Sequence, residues 1–558
     1  MKRDSFFKGA FLMIVSACLV KIGGALFKIP LSSILGGGGM GLFMAAYSVF
    51  NPFHALFASG LSPAVSSFVS RTRILKGERE ADDLRYANIF FFAFYGLAAF
   101  LIFVYLAPMF AAFTGDENIL PCLYTMAPCL FFCSVGSAVR GGFEGNLMMK
   151  PTAFSQLAEV FSKFVLGIFL AKLCVSKSFL EFFSFGSING KSVRNLNTAI
   201  DEVIPLATNK ALQGVTLASL ISCVFLFILY FKERKDKYIL PKPSLFKDSL
   251  KILKYSVPIC LSSLIVSLYP TIDMYSFLNI FADIFEKNQN LPAIFSFLSE
   301  EAMEISEIPA FLYGCCSGLA FTIFHFVPAL TSSLSVAVLP QISSCYASKN
   351  KKKTCLIAKG IIKSVAFVSM PLGVGMFLMP EEILTFFFPK SSLEVLTAVP
   401  FLKALGPASV FVGLSSPLFA SLQGMGMPKA PTFILSIFLA VKLLLNIVFT
   451  IGPLGPLASV YSTLICYMFI FILTSKYLFY ILGEKFSLTK LFFKPFLLSA
   501  AACCISKIVY RSLEAALKNP LALVISVILG AFMYIIFIFL TGEFKQEYIK
   551  ILYCDKNK

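Results

Sequence analysis

Apolar segments of about 20 residues recur from one end of the chain to the other, with short polar stretches between them. A helix of that length crosses the hydrocarbon core of a bilayer. The pattern therefore predicts an all-α polytopic membrane protein with about 14 transmembrane helices. The predicted spans are 9–31, 41–70, 86–113, 119–142, 152–174, 203–231, 251–281, 309–346, 355–380, 394–423, 428–451, 455–481, 495–513 and 519–541.

Composition supports this class of protein. Of the 558 residues, 58% are hydrophobic and 14% are charged, and the mean hydropathy is +0.82. Soluble proteins carry about 25% charged residues, so a soluble multi-domain enzyme is excluded. The basic start, Met1–Lys8, precedes an apolar run that lacks a small-residue cleavage site and is longer than the apolar region of a signal peptide. We therefore expect a retained first transmembrane helix.

Most of the basic residues that give the net charge of +18 lie in the loops between the spans and at the ends of the chain. With a cytoplasmic amino terminus, the inside segments carry 27 Lys and Arg and the outside segments carry six. This bias predicts that both termini are cytoplasmic. Topology accounts for the charge, and no basic and aromatic groove lies outside the spans, so we expect no nucleic acid partner. The 15 cysteines lie mostly in apolar segments without zinc-site spacing, and we interpret them as core residues.

An internal repeat divides the chain into halves. Segment 59–65 matches 332–338 at an offset of 273, and segment 145–150 matches 424–429 at an offset of 279. Six helices return the chain to its starting side, so the halves have the same orientation, related by an axis along the membrane normal. The predicted domains are a six-helix lobe at 1–231, a basic cytoplasmic linker at 232–250, a second six-helix lobe at 251–481, and two further helices with a cytoplasmic tail at 482–558.

Parallel halves suit a transporter, because rocking them about a central site exposes that site to each face in turn.

The glycine-rich segment 35–41 lacks the lysine and the strand–turn–helix context of a phosphate-binding loop, and we predict a tight outer turn there. Without a nucleotide-binding domain, energy would come from ions, the membrane potential or the substrate gradient. A polytopic lipid-sugar glycosyltransferase would place acidic residues in the first outer loop, but 32–40 holds no carboxylate. Two longer outer loops, 175–202 and 282–308, are either ordered caps or flexible connections.

Ionisable residues inside predicted spans are the candidates for chemistry, because such groups are costly in lipid and usually face a cavity or a partner. Lys21 lies near the centre of the first span, and Lys28 follows seven residues later on nearly the same helix face. Two ammonium groups on one stripe suit an anionic ligand. For Lys28 the alternative is snorkelling to the outer headgroups.

Other polar residues are distributed over both halves. Asn51 and His54 lie in the second span and His325 in the eighth; each histidine either packs as a neutral polar residue or contacts substrate or a coupled proton. Asp273 lies beside Pro270 in the seventh span, where cation coupling and pairing to a nearby lysine are both open. Lys442 and Asn446 in the eleventh span form another polar face, which either lines a basic cavity or pairs locally.

Two pairs of opposite charge have the spacing of intrahelical ion pairs. Arg140 and Glu144 lie four residues apart at the end of the fourth span, and Glu159 and Lys163 repeat that spacing deeper in the fifth. In each case the alternatives are a helical ion pair and a role in a substrate site. We include Arg140 and Glu144 among the candidate substrate residues.

Several segments resemble the polysaccharide-export branch of the multidrug/oligosaccharidyl-lipid/polysaccharide flippase superfamily, which includes the stage V sporulation B proteins and the lipid II flippases. The resemblance covers nearly the whole chain, and it is specific through the order of its motifs. Those motifs lie at 29–31, 39–43, 127–128, 140–145, 151–159, 272–273, 313–314, 335–343, 423–429 and 442–446. This sequence differs in having Lys21 and Lys28 where Arg is frequent, and Glu144 where Gln is usual; Lys does not make the bidentate phosphate contact of Arg.

The resemblance implies fourteen helices in two six-helix lobes around a cationic cavity, with the last two helices forming a groove for a lipid tail. It also implies a flippase that moves an undecaprenyl-pyrophosphate-linked saccharide, such as a peptidoglycan precursor, across the bacterial cytoplasmic membrane by alternating access. No cofactor is implied, and a coupling ion, proton or sodium, is left open. The alternative is a cation-coupled multidrug exporter of the same superfamily.

Overall fold

The computed structural model describes residues 6–193, 195–233, 243–288, 291–299, 308–483, 488–514, 517 and 519–541. It is 92% helical, which confirms the all-α class. The helices are α1 Phe6–His54, α2 Leu61–Lys76, α3 Glu78–Thr114, α4 Ile119–Gly145, α5 Met149–Phe185, α6 Leu196–Glu233, α7 Pro243–Tyr275, α8 Ala282–Asn288, α9 Ile308–Gly314, α10 Phe321–Phe324, α11 Phe326–Ala347, α12 Lys351–Leu378, α13 Pro380–Phe387, α14 Ser392–Gly424, α15 Lys429–Ile451, α16 Ala458–Leu482, α17 Leu488–Glu514 and α18 Asn519–Leu540.

Short elements of other types interrupt these helices. Within the described residues, π-helical turns cover Ala55–Ser59, Ser276–Phe281 and Cys315–Ala320, and 3-10 turns cover Ala293–Ser299 and Gly455–Leu457. The strands β1 Ser187–Ile188 and β2 Lys191–Ser192 pair antiparallel. In the predicted outer loop 175–202, the described residues 175–193 and 195–202 form the end of α5, the β-hairpin and the start of α6.

Twelve helical segments among the described residues are long and apolar enough to cross a membrane. One of them, Val15–Lys76, is 62 residues long and overlaps two predicted spans, 9–31 and 41–70. The predicted span at 152–174 lies within α5. The polytopic prediction is thus confirmed. The number differs by two because Val15–Lys76 counts once for two predicted spans and α5 is not among the twelve segments.

The chain reverses direction within α1, at Gly36. Gly36 has φ 64° and ψ −174°, a conformation that glycine adopts readily and other residues do not. The rings of Phe27 and Phe43 have centroids 6.1 Å apart, although 16 residues of straight helix would separate them by about 24 Å. The glycine-rich segment is therefore a tight turn between a first limb, residues 6–35, and a second limb, residues 37–54.

The chain forms two compact units, one of residues 1–290 with 298–318 and one of residues 291–297 with 319–558. In unit 1, α1 packs against α4, α5, α6, α7 and α9, and α3 packs against α4. In unit 2, α14 packs against α11, α12 and α16, and α17 packs against α12 and α18. Helix α7 belongs to unit 1 because it packs against α1, α2 and α3. Residues 234–242 of the predicted linker and the tail 542–558 lie outside the described residues, and the lobe boundaries stay a prediction.

Candidate functional site: a cationic cluster in unit 1

Small residues allow the helices of unit 1 to approach closely around the candidate site. A Cβ added at Gly23 of α1 would lie 2.5 Å from Val160 Cγ1 of α5. A Cβ at Gly167 of α5 would lie 2.8 Å from the ring of Phe27. The first limb of α1 is therefore seated directly on α5, which brings polar side chains of both helices together.

Arg140 on α4 connects three helices. Its Nη2 donates to Glu159 Oε2 of α5 at 2.6 Å and to Ser222 Oγ of α6 at 2.8 Å, and its Nε donates to Ser155 Oγ of α5 at 3.1 Å. The side chains of Arg140 and Glu159 are 16% and 31% exposed. The guanidinium thus holds α4, α5 and α6 together and keeps part of its surface accessible.

Both intrahelical ion pairs considered from the sequence are replaced by contacts between helices. Arg140 pairs with Glu159 rather than with Glu144. Glu144 instead accepts a hydrogen bond from Ser62 Oγ of α2 at 3.1 Å. Lys163 is not in salt-bridge contact with Glu159, because Glu159 is turned toward α4.

Lys163 of α5 lies between the two limbs of α1. Its Nζ is 5.2 Å from the ring centroid of Phe27 on the first limb and 4.7 Å from that of Tyr47 on the second. Lys28, next to Phe27, is close enough to Lys163 for the two ammonium groups to repel each other. We call Lys28, Arg140, Glu159 and Lys163 the cationic cluster: it contains three cations and one carboxylate.

The remaining candidates on α1 lie at different distances from this cluster. His54 stacks on Phe50 with ring centroids 5.9 Å apart, and it lies within electrostatic range of Glu159 and Arg140. Asn51 is partly exposed one turn earlier. Lys21 is exposed on the first limb, about 10 Å along the helix from Lys28. The cation near Lys28 is therefore Lys163. The seven-residue spacing points instead to Lys21.

Asp273 of α7 is a buried carboxylate in another part of unit 1. It is 5% exposed and lies within electrostatic range of Tyr313 on α9. The Tyr313 hydroxyl is 2.9 Å from Ser48 Oγ, and Thr271 donates to the Ser48 carbonyl at 2.7 Å. These bonds tie α7 and α9 to the second limb of α1, and the π-helical turn that begins at Ser276 follows directly.

Of the three candidates of unit 2, His325 lies apart and exposed, whereas Lys442 and Asn446 lie one turn apart on α15 and are buried. His325 is exposed between α10 and α11, with its ring 5.2 Å from that of Phe324. Lys442 of α15 is 1% exposed and donates to Thr463 Oγ1 of α16 at 2.5 Å. Asn446 is fully buried and accepts from Ser462 Oγ. Lys442 and Asn446 therefore tie α15 to α16.

Sequence reasoning missed a second charged network, around Arg85 of α3. Arg85 is 5% exposed and donates to Asp82 at 2.9 Å and to Glu233 of α6 at 3.1 Å. Its guanidinium also lies 5.2 Å from the ring of Phe143 and 5.3 Å from that of Tyr230. Arg85 precedes the predicted third span, so the sequence places it among the topological charges of a loop. Its burial was not visible in the sequence.

Unit 2 contains an apolar groove of about 790 Å³. Its walls come from α12, α14, α16 and α17, and almost all of the lining surface is apolar. Aromatic rings contribute much of that surface, namely those of Phe377, Phe411, Phe471, Phe492, Phe493 and Phe496. The groove can hold a long hydrocarbon chain.

Helical spans of this length and apolar character define a polytopic helical membrane protein. Comparison with known proteins shows which of them it resembles. A family model described as polysaccharide biosynthesis protein matches residues 6–186, and the MatE model matches residues 317–450. The lipid II flippase MurJ of Bacillus subtilis (strain 168) is 25% identical over 460 residues, which cover 79% of this chain and 76% of that protein. Stage V sporulation protein B of the same organism is 23% identical over 434 residues, which cover 77% and 75%.

The fold agrees with a solved structure of the lipid II flippase MurJ in an inward closed conformation. The TM-score is 0.64 at 16% sequence identity, over 96% of this chain and 99% of that one. These matches confirm the resemblance predicted from the sequence. In sequence and in fold, the chain is therefore similar to flippases and transporters.

Proposed function

We propose that this protein is a flippase that moves a polyprenyl-pyrophosphate-linked saccharide from the inner to the outer leaflet of a bacterial plasma membrane. The saccharide is a peptidoglycan precursor such as lipid II or another oligosaccharide. Two lobes rock about a cationic cavity, so that the cavity opens to each side of the membrane in turn. Both termini lie in the cytoplasm. Of the predicted substrate residues, the proposal depends on Lys28 and Arg140; the roles of the others stay predictions.

The observation that carries this proposal is the excess positive charge of the cationic cluster. Arg140 pairs with the one carboxylate of the cluster, Glu159, and Lys163 lies near that carboxylate and near Lys28, all inside apolar spans. Unneutralised cations are costly in lipid, and they are retained where they bind a ligand or serve a pathway. A pyrophosphate supplies the negative charge that the cluster lacks.

The apolar groove of unit 2 supports the lipid part of the substrate. A polyprenyl tail is a long hydrocarbon, and each buried methylene contributes about 0.8 kcal/mol. The groove offers about 790 Å³ of almost wholly apolar space. The curated relatives include proteins named for lipid II flipping and for sporulation, which fits a substrate of this class.

The alternative is a cation-coupled multidrug exporter. The match of residues 317–450 to the MatE model favours it, and so do the carboxylates Glu144 and Asp273, which a cationic drug or a coupling ion would need. An exporter of cations gains nothing from a cluster with two surplus ammonium groups, because like charges repel. The flippase therefore fits the charges of unit 1 better.

Ligand-dependent stabilisation of the purified protein separates the two functions. A ligand at about 100 times its Kd stabilises the folded state by about 2.7 kcal/mol, which raises the melting temperature. We expect a polyprenyl-pyrophosphate-linked sugar to raise it, and polyprenol without phosphate to raise it less. Stabilisation by hydrophobic cations alone would contradict the flippase and support the exporter.

A further inference from the structure

Two thiols meet on one face of α4. Cys129 and Cys133 lie four residues apart in the chain, and their Sγ atoms are 3.6 Å apart. Side chains at this spacing are neighbours on a helix surface. Cys129 is 5% exposed, and Cys133 is partly exposed. The pair is therefore a preformed dithiol, and one of its sulfurs is open to a small solute.

The dithiol lies on the face of α4 that also carries Arg140. Arg140 follows Cys133 by seven residues, which is about two turns and returns to nearly the same face. Both thiols are within electrostatic range of Glu159 on α5. Cys129 is in hydrogen-bond contact with Ser219 on α6. The pair thus faces the interior of unit 1, beside the cationic cluster.

The helix hinders a bond between these two thiols. Cβ atoms four residues apart on a helix are separated by about 5–6 Å, whereas a disulfide needs about 3.5–4.5 Å. A disulfide between Cys129 and Cys133 would therefore require the backbone of α4 to move. A single atom that bonds to both sulfurs meets no such obstacle, because two bonds of about 2.3 Å, the length of a metal–thiolate bond, span the gap between them.

The surrounding charges select what can bind to the dithiol. Lys163 and Arg140 lie within electrostatic range of the pair, and the cationic cluster as a whole has more cations than carboxylates. A divalent metal cation is repelled there. Moreover, no group of three or more His, Cys, Asp and Glu side chains among the described residues could hold a metal ion. The site therefore favours an uncharged compound that bonds to soft sulfur ligands.

We propose that Cys129 and Cys133 bind an uncharged trivalent arsenic compound with two or more hydroxyl groups, such as arsenous acid or hydrated phenylarsine oxide. Each thiol condenses with one As–OH group. Two S–H and two As–O bonds break, two As–S and two O–H bonds form, two molecules of water leave, and arsenic stays trivalent. The step needs no oxidant and creates no net charge inside the membrane. It does not depend on the proposed flippase function.

Tyr47 of α1 supplies a hydrogen-bond donor beside the dithiol. Its hydroxyl is buried without a hydrogen-bond partner among the described residues, and it lies within electrostatic range of both thiols. A buried hydroxyl that donates to nothing is unfavourable. The third hydroxyl of arsenous acid would accept this hydrogen bond, whereas the phenyl group of phenylarsine oxide does not replace it.

A second pair of cysteines provides a matched control. Cys503 and Cys504 are adjacent on α17, so their side chains point about 100° apart around the helix. Cys503 Sγ donates to the Pro371 carbonyl of α12 at 3.5 Å, and Cys504 is exposed. Cys504 is thus an accessible thiol that does not share an atom with its neighbour.

The experiment treats the purified full-length protein with phenylarsine oxide, removes singly bound arsenic with a monothiol, and counts the retained arsenic by intact mass. We expect Cys129→Ser and Cys133→Ser each to retain one arsenic fewer than the wild type, and the double variant to lose that same one. The apparent Kd should rise about tenfold or more in each single variant, because the second thiol no longer binds within the same molecule. Cys504→Ser retains as much as the wild type.

Arsenite tests the contribution of Tyr47. Tyr47→Phe should weaken the retention of arsenite and leave that of phenylarsine oxide unchanged, because only arsenite keeps a hydroxyl after it has bound both thiols. Equal retention of arsenite by Tyr47→Phe and the wild type would overturn this role of Tyr47.

Three results would overturn the dithiol site. The first is a wild type that retains no arsenic, or no more than Cys133→Ser. The second is a loss of two arsenic atoms in the double variant, which means that the thiols react independently. The third is a thiol titration in which the untreated protein holds Cys129 and Cys133 as a disulfide. Melting temperatures are measured on the same samples, and if Cys129→Ser is destabilised, Cys133→Ser at the partly exposed position decides the test.

Discussion

Arg140 on α4 donates a hydrogen bond to Glu159 on α5, with 2.6 Å between Nη2 and Oε2. The pair joins two helices that the chain connects through the turn after Gly145. It also takes Glu159 away from Lys163, one helical turn further along α5. This choice of partner leaves Lys163, rather than Arg140, without a carboxylate in the cationic cluster.

Removing either member of this pair destabilises the protein. Because both side chains are partly exposed, we expect Arg140→Met and Glu159→Gln each to cost about 1–3 kcal/mol, less than for a fully buried pair. The double variant should cost less than the sum of the two, since the groups are coupled. Thermal unfolding of the purified variants measures this, with Glu181→Gln near the end of α5 as the control. Strict additivity would show that the pair contributes nothing.

Arg85 is a structural tie for α3, α4 and α6. Arg85→Met leaves Asp82 and Glu233 without their cation and removes two cation–π contacts, so we expect a loss of about 3–5 kcal/mol in unfolding free energy. Arg71→Gln on α2 is the control, because Arg71 is exposed and its replacement should stay within about 0.5 kcal/mol. Equal stability of the two variants would show that the Arg85 network is not structural.

The turn at Gly36 depends on glycine. At φ 64° and ψ −174° a Cβ is strained, so Gly36→Ala should cost about 1–3 kcal/mol. Gly38→Ala is a close control: a Cβ there meets no atom within 4 Å, and it should be neutral or slightly stabilising. Melting temperatures of both variants test the turn. A stable Gly36→Ala protein would mean that α1 does not reverse at this residue.

Filling the apolar groove should weaken binding of the lipid tail. Ala500 of α17 lines the groove, so Ala500→Phe reduces its volume. We expect weaker binding of a full-length polyprenyl pyrophosphate, by about 0.8 kcal/mol for each methylene displaced, and unchanged binding of a short-chain analogue. Ile508→Phe on the same helix is the control, because Ile508 is 65% exposed. Equal loss for both chain lengths would place the effect outside the tail.

Hydropathy predicted the fold well, because about 20 apolar residues in sequence have one stable arrangement in lipid. The turn at Gly36 was also predictable, since consecutive glycines favour a conformation that other residues avoid. The boundary between the first two predicted spans is less evident in the structure. Within α1, Gly36 departs from helical geometry while the residues on both sides of it are helical.

The pairing of charges could not be predicted from spacing. Residues four apart on one helix are neighbours, and this made Arg140–Glu144 and Glu159–Lys163 the natural pairs. In the folded protein Arg140 reaches Glu159 across the α4–α5 contact, which depends on tertiary packing. Spacing along one helix also placed Lys21 and Lys28 on one face as a site for an anion, but it could not indicate Lys163 of α5, which lies near Lys28. The role of Lys21 stays a prediction.

Transport in proteoliposomes tests the central claim most directly. The protein is reconstituted with a labelled polyprenyl-pyrophosphate-linked sugar, and movement between leaflets is followed for wild type, Lys28→Met and Lys172→Met. We predict movement with the wild type and Lys172→Met and its loss with Lys28→Met at equal reconstitution and equal melting temperature. A wild type that leaves the lipid in its leaflet but extrudes hydrophobic cations down an imposed ion gradient would contradict the flippase and establish the exporter.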